Sequence, residues 1–152
     1  MRVLTILATL HVTLPAYGQD GIHPISDSVV AELSARSNIS EPELRQLLSD
    51  CTHNQMSMNI CMFYDFVKAD LNLKITARDK MAIVGPSCAA TFDRRQAAWE
   101  AKRDRACNRS ADREAKGGSM RPMAFSSCQA VATEARTKRL ERIERCTDIP
   151  RQ

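Results

Sequence analysis

Residues 107–128 read CNRSADREAKGGSMRPMAFSSC, and the reading of this stretch decides the fold. Gly117-Gly118-Ser119 is the clearest loop in the chain, and Pro122 is expected to keep it non-helical. On either side the pattern is helical. Upstream, Ser87 is placed to cap a helix running through Trp99 to about Cys107. Downstream, Ser126 or Ser127 is placed to cap a last helix through Leu140 and Ile143 to about Cys146. Two such helices fold back as an antiparallel hairpin, in which facing residues have numbers with a nearly constant sum. Cys107 and Cys128 give 235, and Cys88 and Cys146 give 234, so both pairs can bridge the same helices in one register. The cysteines lie 19 residues apart on one helix and 18 on the other, both near five turns, so each pair faces the same side. That geometry suits disulfides, whose Cα atoms sit about 5.5 Å apart. A kink at Pro86 would displace Cys88. The remaining cysteines are Cys51 and Cys61. Ten residues of continuous helix would hold them about 15 Å apart, so they can join only if Cys51 lies in a loop that folds back.

Upstream of the hairpin, Thr52-His53-Asn54-Gln55 has the form of a capping box, Thr-x-x-Gln. The long helix after it carries Ile60, Tyr64, Val67, Leu71 and Ile75 as its expected buried stripe, up to the break at Gly85-Pro86. Further upstream, Ser40-Glu41-Pro42-Glu43 is a second box, with Leu44, Leu47 and Leu48 following. Asp27 to Arg36 is a short helix with Val29, Val30 and Leu33 on one face. Gln19 to Ile25 reads as an arm. No strand-like alternation and no internal repeat occurs. The expected fold is all-α: a small disulfide-stapled helical bundle containing an antiparallel helical hairpin.

The first residues read as an export signal. Met1-Arg2 is a positive start, Val3 to Leu14 is nearly all apolar or Thr, and Pro15 precedes the small-residue site Ala16-Tyr17-Gly18. Residues 1–18 are therefore assigned as a signal peptide and 19–50 as an N-terminal arm with short helices, ahead of a helical domain over 51–148. The alternative for the leader is a core helix. Cleavage before Gln19 leaves 134 residues holding all six cysteines, which implies a disulfide framework in a periplasmic or secreted protein. No stretch reaches the roughly 20 apolar residues of a membrane span. Only 5% of the chain is aromatic, so cross-links worth about 2–4 kcal/mol each matter to so thin a core.

Charge is unevenly spread. Residues 19–66 carry two basic and seven acidic side chains, 67–116 twelve and seven, and 117–152 seven and four. The basic half reads either as a surface for an anionic partner or as ordinary solvated helix, since the signs interleave.

The order of residues resembles the lysozyme-inhibitor LprI-like N-terminal domain family of secreted bacterial proteins. The likeness runs from Cys51 to about Leu140. It is carried by Cys51-Thr52-His53-Asn54-Gln55 with Met58-Asn59-Ile60-Cys61, then Tyr64, Ala69-Asp70 and Leu71-Asn72. Gln96-x-x-Trp99-x-x-x-Arg103-Asp104-x-x-Cys107 follows, then Gly117-Gly118-Ser119, Pro122-Met123, Cys128, Arg136 and Leu140. Cys88 and Cys146 are additional to the common pattern, and residues 74–91 match poorly. The resemblance implies a non-catalytic protein that binds a lysozyme. The other reading is a structural or binding module of the cell envelope that contacts peptidoglycan, lipid or an envelope protein.

The chemistry agrees with a binding role. No nucleophile–base signature, zinc-type His pair or Cys-x-x-Cys occurs, so the chain is expected to be no enzyme and to need no cofactor or metal. No nucleic-acid partner is expected. His53 beside Cys51 reads as an exposed helix-start residue or as a metal or redox site. Trp99 reads as a core anchor or a glycan platform. Arg103 or Asp104 is expected to bond the Gly-Gly loop. Gly117, Gly118, Ser119 and Arg121 form the candidate binding loop, with Ser119 and Arg121 at its tip. Asn38-Ile39-Ser40 and Asn108-Arg109-Ser110 fit the glycosylation pattern, by chance in a chain of bacterial character.

Overall fold

The computed structural model of the protein describes residues 25–150; the expected signal peptide lies outside them. Their regular elements are α1 (Asp27–Ser37), α2 (Glu41–Leu48), α3 (Gln55–Val84), α4 (Pro86–Ala115), α5 (Arg121–Leu140) and a 3-10 turn at Cys146–Asp148. The all-helical, disulfide-stapled bundle read from the sequence is the one observed.

Three long helices make the body. Gln55–Val84 contains neither Gly nor Pro, so nothing interrupts α3 for 30 residues. Its cap is Asn54, whose Oδ1 accepts from the Ser57 amide at 2.9 Å. The expected Thr52 capping box does not form: Thr52 turns back instead, and its amide and hydroxyl both donate to Asp50 Oδ1. Nor does Ser40 make a side-chain cap, although it stands at the N-cap of α2. At Gly85 (φ +80°) the chain reverses, a conformation that other residues take only with strain. Pro86 then opens α4 from its first turn, where a missing N–H costs nothing, so Cys88 is not displaced and Ser87 is not the cap. The second reversal passes through Lys116 (φ +45°) and Gly117 (φ +77°).

Both hairpin helices differ in extent from expectation. α4 runs on past Cys107 to Ala115. α5 begins at Arg121, with Pro122 in its first turn rather than in a loop, so Ser126 lies buried inside the helix and caps nothing. The last helix also stops short: α5 ends at Leu140, and Cys146 sits beyond it in the 3-10 turn. Because the path reverses twice, α3 and α5 run parallel, with α4 antiparallel to both. α5 packs most extensively on α3 and next on α4.

The expected single stripe on α3 is really two. Ile60, Cys61, Tyr64 and Val67 pack under α1 and α2 with Val29, Val30, Leu33, Leu44 and Leu48. Leu73 belongs to a second core with Cys88, Phe92, Leu140, Ile143 and Ile149. Ile75, expected in the stripe, is therefore 51% exposed, because α3 shifts its buried face once α1 and α2 have been passed. Each fully buried Leu, Ile or Phe contributes roughly 1.5–3 kcal/mol. Disulfides join Cys51 to Cys61, Cys88 to Cys146 and Cys107 to Cys128, with Cα separations of 5.8, 5.8 and 5.5 Å. Cys51 lies in the α2–α3 turn and folds back onto α3.

Candidate functional site

Two polar constructions occupy the bundle: a stack inside it and a loop at its end. The stack begins with Arg103 on α4, which is only 8% exposed. Its guanidinium lies 5.0 Å from the Phe66 ring of α3 and 5.2 Å from the Trp99 ring one turn back on its own helix. It donates to Thr133 Oγ1 of α5 at 3.0 Å and to Asp104 at 2.8 Å. Arg136 of α5, 3% exposed, also sits over Trp99, at 5.3 Å, and donates to Gln96 Oε1 at 3.0 Å. Burial, together with nearby Arg139, pushes the Arg136 guanidinium below its ordinary pKa. Gln129 of α5 donates to Asp104 at 2.8 Å. The stack thus ties α3, α4 and α5 together through groups that are all satisfied.

Asp70 extends the stack to the N-terminal helices. Its carboxylate accepts from Arg36 of α1 at 2.7 Å and pairs with Lys74 at 3.2 Å, while Arg103 stands further off at 3.8 Å. Burial raises the Asp70 pKa, but the bonds from Arg36 and Lys74 outweigh it, so the carboxyl lies below its ordinary value. Arg36, though burial opposes its charge, is raised by Asp70 and Glu32. The first two helices, read from the sequence as an added segment, are therefore fastened to the module by both an apolar core and a charge network.

Gln96, Trp99, Arg103 and Asp104 are thus brought together as one interior assembly. Contrary to the sequence reading, neither Arg103 nor Asp104 bonds the Gly-Gly loop, because Arg103 bonds Thr133 and Asp104 accepts from Arg103 and Gln129 in the middle of the bundle. Two guanidiniums already lie over Trp99, which disfavours the glycan platform. Phe66, Asp70 and Thr133 complete the stack and were not assigned roles from the sequence. The available signal was Asp70 in mid-helix beside an apolar face, with Lys74 one turn on.

The loop is held by other residues. Gly118 N–H donates to the Ala115 carbonyl at 2.8 Å, and Arg121 N–H to the Gly118 carbonyl at 3.0 Å. Asn59 of α3 donates to the Ser119 carbonyl at 3.3 Å. Arg121 does not stand free at the tip: Nε donates to Asp112 Oδ1 at 2.6 Å and Nη2 to Asn108 Oδ1 at 2.8 Å, both on α4. The cysteines 107 and 128 close the base. What remains presented is Lys116, Gly117, Gly118, Ser119 and Met120, all exposed. Near the Cys51–Cys61 disulfide, Glu43, Gln46, Asp50, His53 and Ser57 line a shallow groove between α2 and α3.

This combination of hairpin, stack and closed loop falls inside the segment matched by a family model, Lysozyme inhibitor LprI, over residues 49–140. The chain belongs to the lysozyme inhibitor LprI family. A protein described only as uncharacterised, from Rhizobium meliloti (strain 1021), is 34% identical over 122 residues, covering 72% of this chain and 84% of that one. No solved structure gives a significant match. The family match starts at α3's entry turn, so α1 and α2 of this LprI-family chain lie outside it. The resemblance read from Cys51 to Leu140 covers nearly the same span. Residues 74–91, where that resemblance is poor, hold the α3–α4 reversal, and among the described residues of this LprI-family chain no helix is long and apolar enough to cross a membrane.

Proposed function

We propose that the protein binds and inhibits a lysozyme, without catalysis of its own, in the periplasm or outside the cell after removal of residues 1–18. The observation that carries this reading is the family match over residues 49–140. Three disulfides and no free cysteine among the described residues suit an oxidising compartment.

The contact is assigned to the loop formed by Gly117, Gly118, Ser119 and Arg121. A lysozyme cleft holds two carboxyl groups flanking the scissile bond. A narrow loop with a hydroxyl and unshielded backbone amides can enter such a cleft and donate to them. The disulfide and the Arg121 bonds to Asp112 and Asn108 restrict the loop beforehand, so less freedom is lost on binding. Arg121 acts mainly from behind the loop, fixing its position, and only secondarily as a donor to the partner. Common lysozymes are strongly basic and this chain carries 22 Lys and Arg against 18 Asp and Glu, so the two repel at long range and encounter should quicken as moderate salt screens them.

The test is a turbidity assay with hen-type and goose-type lysozymes. Wild type should slow clearing, and Ser119→Ala combined with Arg121→Ala should slow it less. Clearing unaffected by wild type removes the inhibitor reading. Inhibition that survives the double substitution removes the loop as the contact and leaves the inhibitor reading in place.

A further inference from the structure

The exposed face of α4 carries a row of cations that neither the fold nor the lysozyme reading uses. Lys102, Arg105, Arg109 and Arg113 follow one another at spacings of three, four and four, and Lys116 continues the row at the C-cap. At 100° per residue the first four fall within an arc of about 80°, over about 16 Å of helix axis. All five side chains are exposed. Among the described residues none of them makes an ion pair. The one hydrogen bond among them, Arg113 to Ser110 Oγ, is long at 3.5 Å. The acids of α4 do not neutralise the row. Asp104 takes Arg103, Asp112 takes Arg121, and Glu100 and Glu114 accept from Gln96 and Ser110. On the same helical wheel Glu100, Asp104 and Glu114 lie at least about 100° from the row; only Asp112 borders it.

From this placement we propose that α4 is a docking surface for a linear acidic polysaccharide. Like charges repel, so five aligned cations raise the energy of the free protein and are relieved by a partner of opposite sign. The row is one side chain wide and straight, and its charges step along the axis every 4.5–6 Å by helical rise, roughly the repeat of a chain with one anion per monomer. Three of the five are Arg, whose fork donates to a carboxylate at two points. The other polyanions fit less well. The large exposed apolar side chains, Met56, Ile75, Ile83, Met120 and Val131, lie on α3, the loop and α5, so the row has nothing to insert into a bilayer. No described Phe, Tyr or Trp side chain is exposed, and the exposed His53 lies before α3, off the row, so the row offers bases no stacking surface. A basic lysozyme would be repelled from this face, which leaves the row free whether or not the loop engages one.

The experiment uses the full oxidised chain and polygalacturonate, with its fully methyl-esterified form, anionic phospholipid vesicles and a single-stranded oligonucleotide as comparison arms. One variant replaces Lys102, Arg105, Arg109, Arg113 and Lys116 with Gln. A control replaces Lys68, Arg78, Lys138, Arg139 and Arg142, all exposed, so that the two have equal net charge. Wild type should bind the carboxylated polymer, more weakly as salt rises, and should not bind the esterified form. The row variant should bind about fivefold to several thousandfold more weakly, the range that five exposed charge contacts span, and the control within about twofold of wild type. On the wild-type chain, polymer should protect Lys102 and Lys116 from acetylation but leave Lys68 and Lys138 reactive, a readout that needs no variant to fold. Absent binding, equal loss in both variants, protection of all four lysines, or preference for vesicles or oligonucleotide would each overturn the proposal.

Discussion

Replacing Arg103 with Ala tests whether the polar stack holds the three long helices together. Thr133, with no exposure, loses its donor, which costs about 1–2 kcal/mol for a buried hydroxyl. The contacts with Phe66 and Trp99 are desolvated and are worth about 0.5–1 kcal/mol each, or somewhat more. Asp104, half exposed, adds at most about 1 kcal/mol. Asp70 keeps Arg36 and Lys74, so no uncompensated carboxylate is left buried, and the total stays near 3 kcal/mol, the low end for breaking a buried pair.

The assay is urea unfolding of the oxidised protein, followed by circular dichroism. With a slope of about 1–3 kcal/mol per molar, 3 kcal/mol lowers the midpoint by about 1–3 M. Arg103→Lys keeps a charge but loses the planar stack and the fork, and should fall roughly midway. A double-mutant cycle with Trp99→Leu should give a coupling of about 0.5–2 kcal/mol, since the two side chains touch. An Arg103→Ala midpoint within about 0.5 M of wild type, or an Arg103→Lys protein as stable as wild type, would refute the assignment.

Asp70 sets an acid limit: its folded pKa lies below the ordinary 3.8, so its stabilisation is full above that value and is lost as pH falls through the lower folded value. Asp70→Asn should therefore lower stability at pH 7 and flatten the decline below about pH 4, read from midpoints across pH. Removing disulfides in pairs as Ser should destabilise in order of loop length, with about 2.7 kcal/mol for Cys51–Cys61, 3.3 for Cys107–Cys128 and 4.2 for Cys88–Cys146 by chain entropy, where sequence separations are 10, 21 and 58. Gly117→Ala, at φ +77°, should cost about 1 kcal/mol by backbone strain alone, since no atom crowds the added methyl, and calorimetry reads this directly.

The bundle could be read from the sequence because its signals are local and repeated: Gly85-Pro86, Gly117-Gly118 and long runs free of both residues between them. The ends of the helices were harder. Proline reads as a breaker at Pro122, yet in a first turn it is favoured, and only the φ values of Lys116 and Gly117 show that the reversal is complete by then. Two cores on one helix were also hidden, because Ile75 continues the apolar period of the first core, whereas α3 turns Leu73, Ala77 and Val84 to the second. The stack was visible as residues but not as an assembly. Gln96, Trp99, Arg103 and Asp104 share a helix, whereas their partners Asp70, Gln129, Thr133 and Arg136 come from two others, and periodicity on one helix carries no information about what faces it. For the same reason Arg121 looked free, since its partner Asp112 lies across the turn.

That division of labour bears on specificity. The residues that carry the resemblance divide in two: Asp70, Arg103, Cys107 and Arg136 are buried and preserve the bundle whatever the partner is, whereas Gly117, Gly118 and Ser119 are exposed. A target must instead be chosen by exposed groups, and two sets of these are physically joined, since the α4 row ends at Lys116, where the loop begins. A lysozyme works on a wall polysaccharide. A chain whose helix rests on acidic polysaccharide would hold its loop close to where the enzyme works, at an effective concentration above that of a freely diffusing inhibitor. The gain would come without any added contact to the enzyme. It should vanish for a small soluble substrate and persist on intact walls. Neutralising Lys102, Arg105, Arg109 and Arg113, and keeping Lys116 beside the loop, should therefore weaken protection of whole cells while leaving inhibition on a short chitooligosaccharide unchanged. Equal weakening in both assays would mean that the row touches the enzyme itself.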